Sequence, residues 1–383
     1  MRASRFLLLA AAIAAMAVWL GWTQTPQTPA LRPVDASALP GWAADDPQAT
    51  LHAFITACDR APWRRLDPAL AARLQLTAAD WQAACDLAAR TPPQAAQGFF
   101  ETHFQALEWR RGWAPAGFFT GYFLPELQGA PVPHPCCPVP LYRRPPELVS
   151  VDLGQFAPDL AGRRLAGRVE DGRLKPYADR AAIDAGALAG RNLELAWVAD
   201  PVEAFFLHIQ GSGQIRFADG TLLRVGFAGH NGHAYHAIGR SLIARGAIAA
   251  DALTLDSLAA WLRAHPEDAA ALMRENASYV FFRTLDGAGA EGSLATTLTA
   301  GRSLAVDPLH TPLGLPVWID TSAGTADSRQ TYRRLMLAED TGGAIKGAGR
   351  ADIFFGAGPR ARALAGHQKH PGRLVVLLPK PAP

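Results

Sequence analysis

Near its C-terminus the chain reads Ala338-Glu339-Asp340-Thr341-Gly342-Gly343-Ala344-Ile345-Lys346, and Arg350 and Asp352 follow after a further pair of glycines. Two carboxylates thus flank a glycine-rich run, where the lack of side chains lets a substrate approach the backbone. Asp340 ends an apolar, strand-like segment, Arg333 to Ala338. A carboxyl there projects from a rigid element, and apolar neighbours that desolvate it raise its pKa, as a general acid near neutral pH requires. The competing reading is a turn cap that accepts backbone N–H bonds. Asp352 fits either the second carboxylate of a site or an ion-pair partner for Arg350 or Lys346. Asp307, just before Pro308, is a third acid at a strand end.

An Asp-Thr-Gly triplet also belongs to aspartic proteases, but those need two such loops sharing one proton. This chain has a single triplet, and it is far longer than the chains that supply the second loop by dimerising, which excludes the protease. His230, His233 and His236 are spaced by three, as zinc ligands on a helix are. Asn231-Gly232 interrupts any helix there, so polar loop groups that bind sugar or cap the helix starting near His236 are expected instead. Cys136, Cys137 and His134 crowd a proline-rich loop, and no metal is expected. Thr120 and Tyr122, with Gln210 and Ser212 at a Gly-rich turn, carry hydroxyls and an amide suited to N-acetyl and ring-hydroxyl groups. Thr341 and Gly342 complete this candidate substrate-binding set.

The elements that must position these groups begin with helices. Asp46 and Pro47 open a helical pattern through Leu51, Phe54, Ile55 and Cys58. Thr77 with Asp80 opens a second, with Trp81 and Cys85 along one side. A third follows Pro92-Pro93 and carries Phe99, Phe100 and Phe104. Cys58 and Cys85 are placed to staple the first two, whereas adjacent Cys136 and Cys137 are not expected to pair with each other. From Phe118 short strands take over, including Phe118–Glu126, Leu193–Val198, Ala204–Gln210 and a hairpin around Asp219-Gly220. Helices return at 236–245, 254–264 and 266–276, and 294–380 reads as strands and turns, including Pro316–Thr321, Arg333–Ala338 and Val375–Leu378. Strands and helices do not alternate regularly, so the fold class is α+β and β-rich, with helices at the edges, and a barrel is the expected way to close so many short strands.

With 383 residues, 49% hydrophobic and 19% charged, the chain can bury one large core or two. A formal charge of +3 without basic runs excludes nucleic acid as the main partner. Arg2 and Arg5 precede an apolar stretch from Phe6 to Trp22, and a Pro-rich linker follows to residue 38. This is an export signal, cleaved or kept as an anchor. No cysteine follows it to carry a lipid.

Several segments together resemble one family. They are Tyr142-Arg143-Arg144-Pro145, Gln210-Gly211-Ser212-Gly213, Arg224 to His233, Asn276 to Phe282, Gly301 to Asp307, and Glu339 to Ile345. In this order, from about Leu39 to Lys380, the chain is similar to the membrane-bound lytic murein transglycosylase A family, with a C-terminal three-aspartate domain over about 294–380. The resemblance implies a main domain, 39–128 with 226–383, that contains a double-psi β-barrel, a smaller β-domain inserted at 129–225, and a groove between them. It implies a peptidoglycan lytic exotransglycosylase, a carbon–oxygen lyase without cofactor. Such an enzyme cleaves the β-1,4 bond between N-acetylmuramic acid and N-acetylglucosamine without water and leaves 1,6-anhydro ends. The catalytic aspartate matches Asp340, with Asp352 in support and Asp307 as a structural acid. A hydrolase using Asp340 with Asp352, and a noncatalytic peptidoglycan-binding protein, are the alternatives. Implied partners are glycan strands in the periplasm, the membrane, and cell-wall synthesis or division proteins. Tyr122-Phe123-Leu124-Pro125 departs from the family's common Tyr-Tyr-Glu-Pro, and the lipid-anchor cysteine is missing.

Overall fold

A computed structural model describes residues 28–381 except 161–162, 288 and 326–327. The apolar N-terminal segment, on which the export expectation rests, lies outside the described residues. Among the described residues, no helix is long and apolar enough to cross a membrane.

Six strands close into a ring: β1 (Gly117–Leu124), β2 (Ser303–Val306), β3 (Pro316–Ala323), β4 (Gln330–Thr341), β5 (Arg350–Ala357) and β6 (Lys369–Pro379). They follow the order β6-β3-β4-β2-β5-β1, and β1 pairs back onto β6. The β2–β4 and β5–β1 pairs are parallel and the rest antiparallel. The runs Leu335-Met336-Leu337-Ala338 and Leu374-Val375-Val376-Leu377-Leu378 are wholly buried. Such continuous apolar strands need cover on both faces, which here is the barrel interior on one side and packed elements outside. Closure removes the edges that strands this hydrophobic would expose. Beyond β6 the sheet continues through Phe104–Arg111 to Ala30–Val34, so the end of the segment read as linker serves as an edge strand.

The outer cover includes the expected helices α1 (Gln48–Cys58), α2 (Ala78–Ala88) and α3 (Ala96–His103). Thr77 and Asp80 form the reciprocal capping box that their spacing predicts. Cys58 and Cys85 form a disulfide that ties α1 to α2. The Thr50 hydroxyl of α1 donates to the Leu335 carbonyl at 2.6 Å. Asp45, just before α1, accepts two bonds of 2.8 Å from Arg302 and one from the Leu335 N–H. The helices are therefore fastened to β4 by polar contacts as well as by the aromatic core of Phe54, Phe99, Phe100 and Phe104.

A second, six-stranded sheet draws on 126–130, 139–142, 194–198, 213–216, 222–230 and 280–284, and a three-stranded sheet covers 149–152, 164–170 and 173–176. Three local expectations are corrected. Ala204–Gln210 is not a strand but part of helix α4 (Pro201–Gln210), started by Pro201 and capped by Asp200, whose side chain accepts from Val202 and Glu203 N–H. Its unbroken apolar run carries no periodicity that separates helix from strand. The region after 294 is not all strands, because Gly358–His367 is helical with only Ala361 and Ala365 buried, a stripe too weak to read. Cys136 and Cys137 are joined to each other; the tight turn that bonds Cys137 N–H to the His134 carbonyl brings them together.

Candidate active site

Strand register places the acids. Ala305 of β2 pairs with Asp340 of β4 on one side and with Asp352 of β5 on the other, and Asp352 pairs in turn with Thr120 of β1. One row across four strands thus carries both aspartates and Thr120. With about 4.8 Å between neighbouring strands, the two aspartate backbones lie about 10 Å apart.

At Asp340, Oδ1 accepts from the Ser293 N–H at 3.0 Å, the Ser293 hydroxyl at 2.8 Å and the Thr341 N–H at 2.8 Å. Ser293 Oγ also lies 2.8 Å from Thr341 Oγ1. Burial pushes the Asp340 carboxyl above its ordinary range, while Ser293, the two N–H groups and the nearby Tyr122 hydroxyl pull the other way. Asp340 as a residue is half-buried, at the point where the strand emerges from the wholly buried run before it. Tyr122, of β1, is oriented by Phe354, whose ring centroid is 5.1 Å away. Its buried hydroxyl makes no hydrogen bond of full geometry among the described residues, yet it stands close enough to Asp340 to favour the carboxylate. Burial, then the Asp340 charge, raises the Tyr122 pKa well above its usual value, so it stays a neutral donor.

Asp352 is committed differently. Its Oδ1 accepts from Thr120 Oγ1 and from Arg350 Nη1, each at 2.5 Å, and Arg350 Nη2 donates to Thr120 Oγ1 at 2.7 Å. Asp307 is buried and accepts from Leu309 N–H at 3.2 Å and Gly347 N–H at 2.7 Å. It therefore clamps the segment between Asp340 and Asp352. Gly343 is exposed, with open space where a Cβ would stand.

Thr120, Tyr122, Thr341 and the two aspartates are thus brought together at one end of the barrel. Gln210 spends its amide oxygen on Phe123 N–H of β1 at 3.2 Å, which positions the strand carrying Tyr122. Ser212, in the turn after α4, makes no side-chain hydrogen bond among the described residues. The histidines separate: His233 Nε2 meets the Tyr177 carbonyl and His236 Nε2 meets Ser241 Oγ. Asn231 is wholly buried and donates to the carbonyls of Ala178 and Ala277, so its side chain ties this loop to two segments distant in the chain. Leu124 packs with Ala290, Leu298 and Phe354. Two residues went unread in the sequence. Ser293 stands alone in an irregular loop, where no pattern distinguishes it. Glu339, beside Asp340, is wholly buried and accepts from Ser303 Oγ at 2.5 Å and Thr296 Oγ1 at 3.1 Å.

Residues 118–283 match the model of the MltA specific insert domain, and 302–378 match that of the 3D domain. The crystal structure of a membrane-bound lytic murein transglycosylase from Agrobacterium tumefaciens superposes with a TM-score of 0.79 at 35% identity, covering 91% of this chain and 98% of that one. The crystal structure of E. coli MltA with bound chitohexaose is 26% identical with a TM-score of 0.63, covering 94% and 96%. Membrane-bound lytic murein transglycosylase A of Vibrio cholerae is 37% identical over 203 residues, 52% of this chain and 55% of its own length. The chain thus spans about half the length of that curated relative, but nearly all of the Agrobacterium structure. On that full-length likeness in sequence and fold, the chain belongs to the membrane-bound lytic murein transglycosylase A family.

Proposed function

We propose that this chain is a lytic transglycosylase that cleaves the MurNAc–GlcNAc bond of peptidoglycan with Asp340 as its one acid and base. The observation that carries this reading is the division of labour among the acids. Asp352 is neutralised by Arg350 and Thr120, and Asp307 is spent on Gly347. Asp340 combines a raised pKa with a partly exposed position at the end of its strand. Hydrolysis with inversion would need a second, free carboxylate to activate water.

In the proposed reaction, protonated Asp340 donates to the glycosidic oxygen as the C1–O bond breaks through an oxocarbenium-like state. The carboxylate left behind takes the C6 hydroxyl proton, and O6 closes onto C1. Ser293, Thr341 and Tyr122 stabilise that carboxylate between the steps. Exposed Gly343 lets the glycan pass close to the backbone, while Thr120 and Ser212 offer further polar contacts. That a neutral chito-oligosaccharide binds the E. coli relative supports a glycan substrate here. We place the groove between a double-psi barrel domain, 39–128 with 226–383, and the inserted domain 129–225, and the enzyme in the periplasm.

Digestion of purified sacculi tests the reading. Mass spectrometry of the products is expected to show anhydro ends, lighter than reducing ends by one water. Asp340→Asn is expected to lower turnover at least 10²-fold, the low end for a positioned acid. Reducing ends, or a fully active Asp340→Asn, overturn it.

A further inference from the structure

Asp340 owes its setting to Ser293, which gives it two of its three hydrogen bonds. Ser293 lies in a loop with no regular structure of its own, so something must hold that loop to the strand. The contacts converge on Glu339. Its carbonyl accepts from Leu294 N–H at 3.1 Å, one residue past Ser293. Its carboxylate accepts from Thr296 Oγ1 at 3.1 Å, and Thr296 returns its own carbonyl to Gly292 N–H at 3.0 Å. The other carboxylate oxygen accepts from Ser303 Oγ, which takes Thr299 N–H at 2.8 Å and belongs to β2. At Gly292 a Cβ would stand 2.7 Å from the Glu339 carbonyl oxygen, so the loop lies directly against this residue. A wholly buried carboxylate costs stability unless its bonds are complete, and both oxygens here are satisfied by one hydroxyl from the loop and one from the barrel. Glu339 and Asp340 leave adjacent positions of β4, yet both reach the same loop.

We infer that Glu339 is a positioning residue for the proposed reaction: it fixes the 292–299 loop to the barrel so that Ser293 presents its hydroxyl and N–H to Asp340. This rests on the reading of Asp340 as the acid. A misplacement of the order of 1 Å in such a donor costs about 10²-fold in rate; of the candidate glycan contacts, Thr341 alone hydrogen-bonds to Ser293 among the described residues.

The test is a double-mutant cycle. Glu339→Gln keeps the volume but replaces one acceptor with a donor facing a hydroxyl. It is expected to lower kcat about ten- to a hundredfold on sacculi, with KM and the affinity for chitohexaose unchanged. In a Ser293→Ala background the same substitution is expected to cost less than it does alone, because the hydroxyl's share of its effect has already been taken and only the N–H bond is left to misplace. Thr296→Val, which breaks only the loop-side bond, is expected to lower kcat in the same direction and serves if Glu339→Gln folds poorly. Full additivity of Glu339→Gln with Ser293→Ala, or wild-type kcat in both Glu339→Gln and Thr296→Val, overturns the inference. So does a rise in KM with kcat preserved. Asp340→Asn, measured in parallel, separates the two claims: if it stays active the proposed reaction is wrong, and if it is dead while the Glu339 cycle is additive, only the role of Glu339 is wrong.

Discussion

Adjacent residues of one strand, Glu339 and Asp340, are both acids held above their ordinary range by burial. For Glu339 the carboxyl is pushed up to about 7, against hydrogen bonds from Ser303 and Thr296 that favour the charge. The sign of the consequence follows from proton counting. Below pH 4.5 both folded and unfolded chains carry this proton; between about 4.5 and 7 the unfolded chain releases it first, so folding becomes less favourable as pH rises. Buried His208 and half-buried His230 are shifted down by desolvation and work in the opposite sense. The measurement is therefore the difference between wild type and Glu339→Gln in urea unfolding at pH 4.5 and 7. Relative to the variant, wild type is expected to lose stability on the order of 3 kcal/mol between those values, from about 1.4 kcal/mol per pKa unit. A pH-independent difference would show that Glu339 is not the buried titrating group. Asp340 was legible at this scale because a strand end before Thr-Gly-Gly is a pattern. Ser293 was not, because its partner is supplied by the fold, across 47 positions of sequence.

At the scale of elements, α1 lies against the barrel strand that ends in the acid, and the hold of the N-terminal helices has two parts. Thr50 and Asp45 bond β4 and Arg302 directly, while the Cys58–Cys85 bridge ties α1 to α2 across a sequence separation of 27. A crosslink closing a loop of that length is worth about 3 kcal/mol through the unfolded chain. Reduction, or the pair Cys58→Ala with Cys85→Ala, is expected to lower the urea midpoint accordingly, with the slope little changed; an unaltered midpoint would mean that the bridge constrains nothing. These helices were readable because their signals are local: Asp46-Pro47, Thr77 with Asp80, and aromatic residues at helical spacing. Helix α4 was not, since Ala204 to Leu207 is an unbroken apolar run, and nothing short of its packing distinguishes it from a buried strand. The glycines around Asp340 could be read as room for a ligand, but not the Asp307 bond to Gly347 that fixes them, which joins two turns distant in the chain.

The whole molecule sets the last constraint. The 3D domain match, 302–378, supplies five of the six barrel strands, β2 to β6. The sixth, β1, comes from far earlier in the chain, at the start of the MltA specific insert match, and pairs with both β5 and β6. Without β1 the ring is open, two apolar strands lose a neighbour, and the pocket of fully buried Phe119 is empty. Open edges of this kind pair with other chains rather than stay in solution. The strand is also chemical as well as structural, because it brings Thr120 to Asp352 and Tyr122 to Asp340. Residues 302–379 expressed alone are therefore expected to be unfolded or aggregated by circular dichroism and size exclusion, although that stretch has a recognisable domain pattern of its own. Adding residues 104–124 as a separate peptide is expected to recover a cooperative thermal transition, and a peptide carrying Phe119→Asp is expected to fail. A fragment that melts cooperatively as a monomer without the peptide would show that the barrel does not need β1. In that case the strand's contribution would reduce to its two site residues, and the insertion would be free of the fold rather than threaded into its closure.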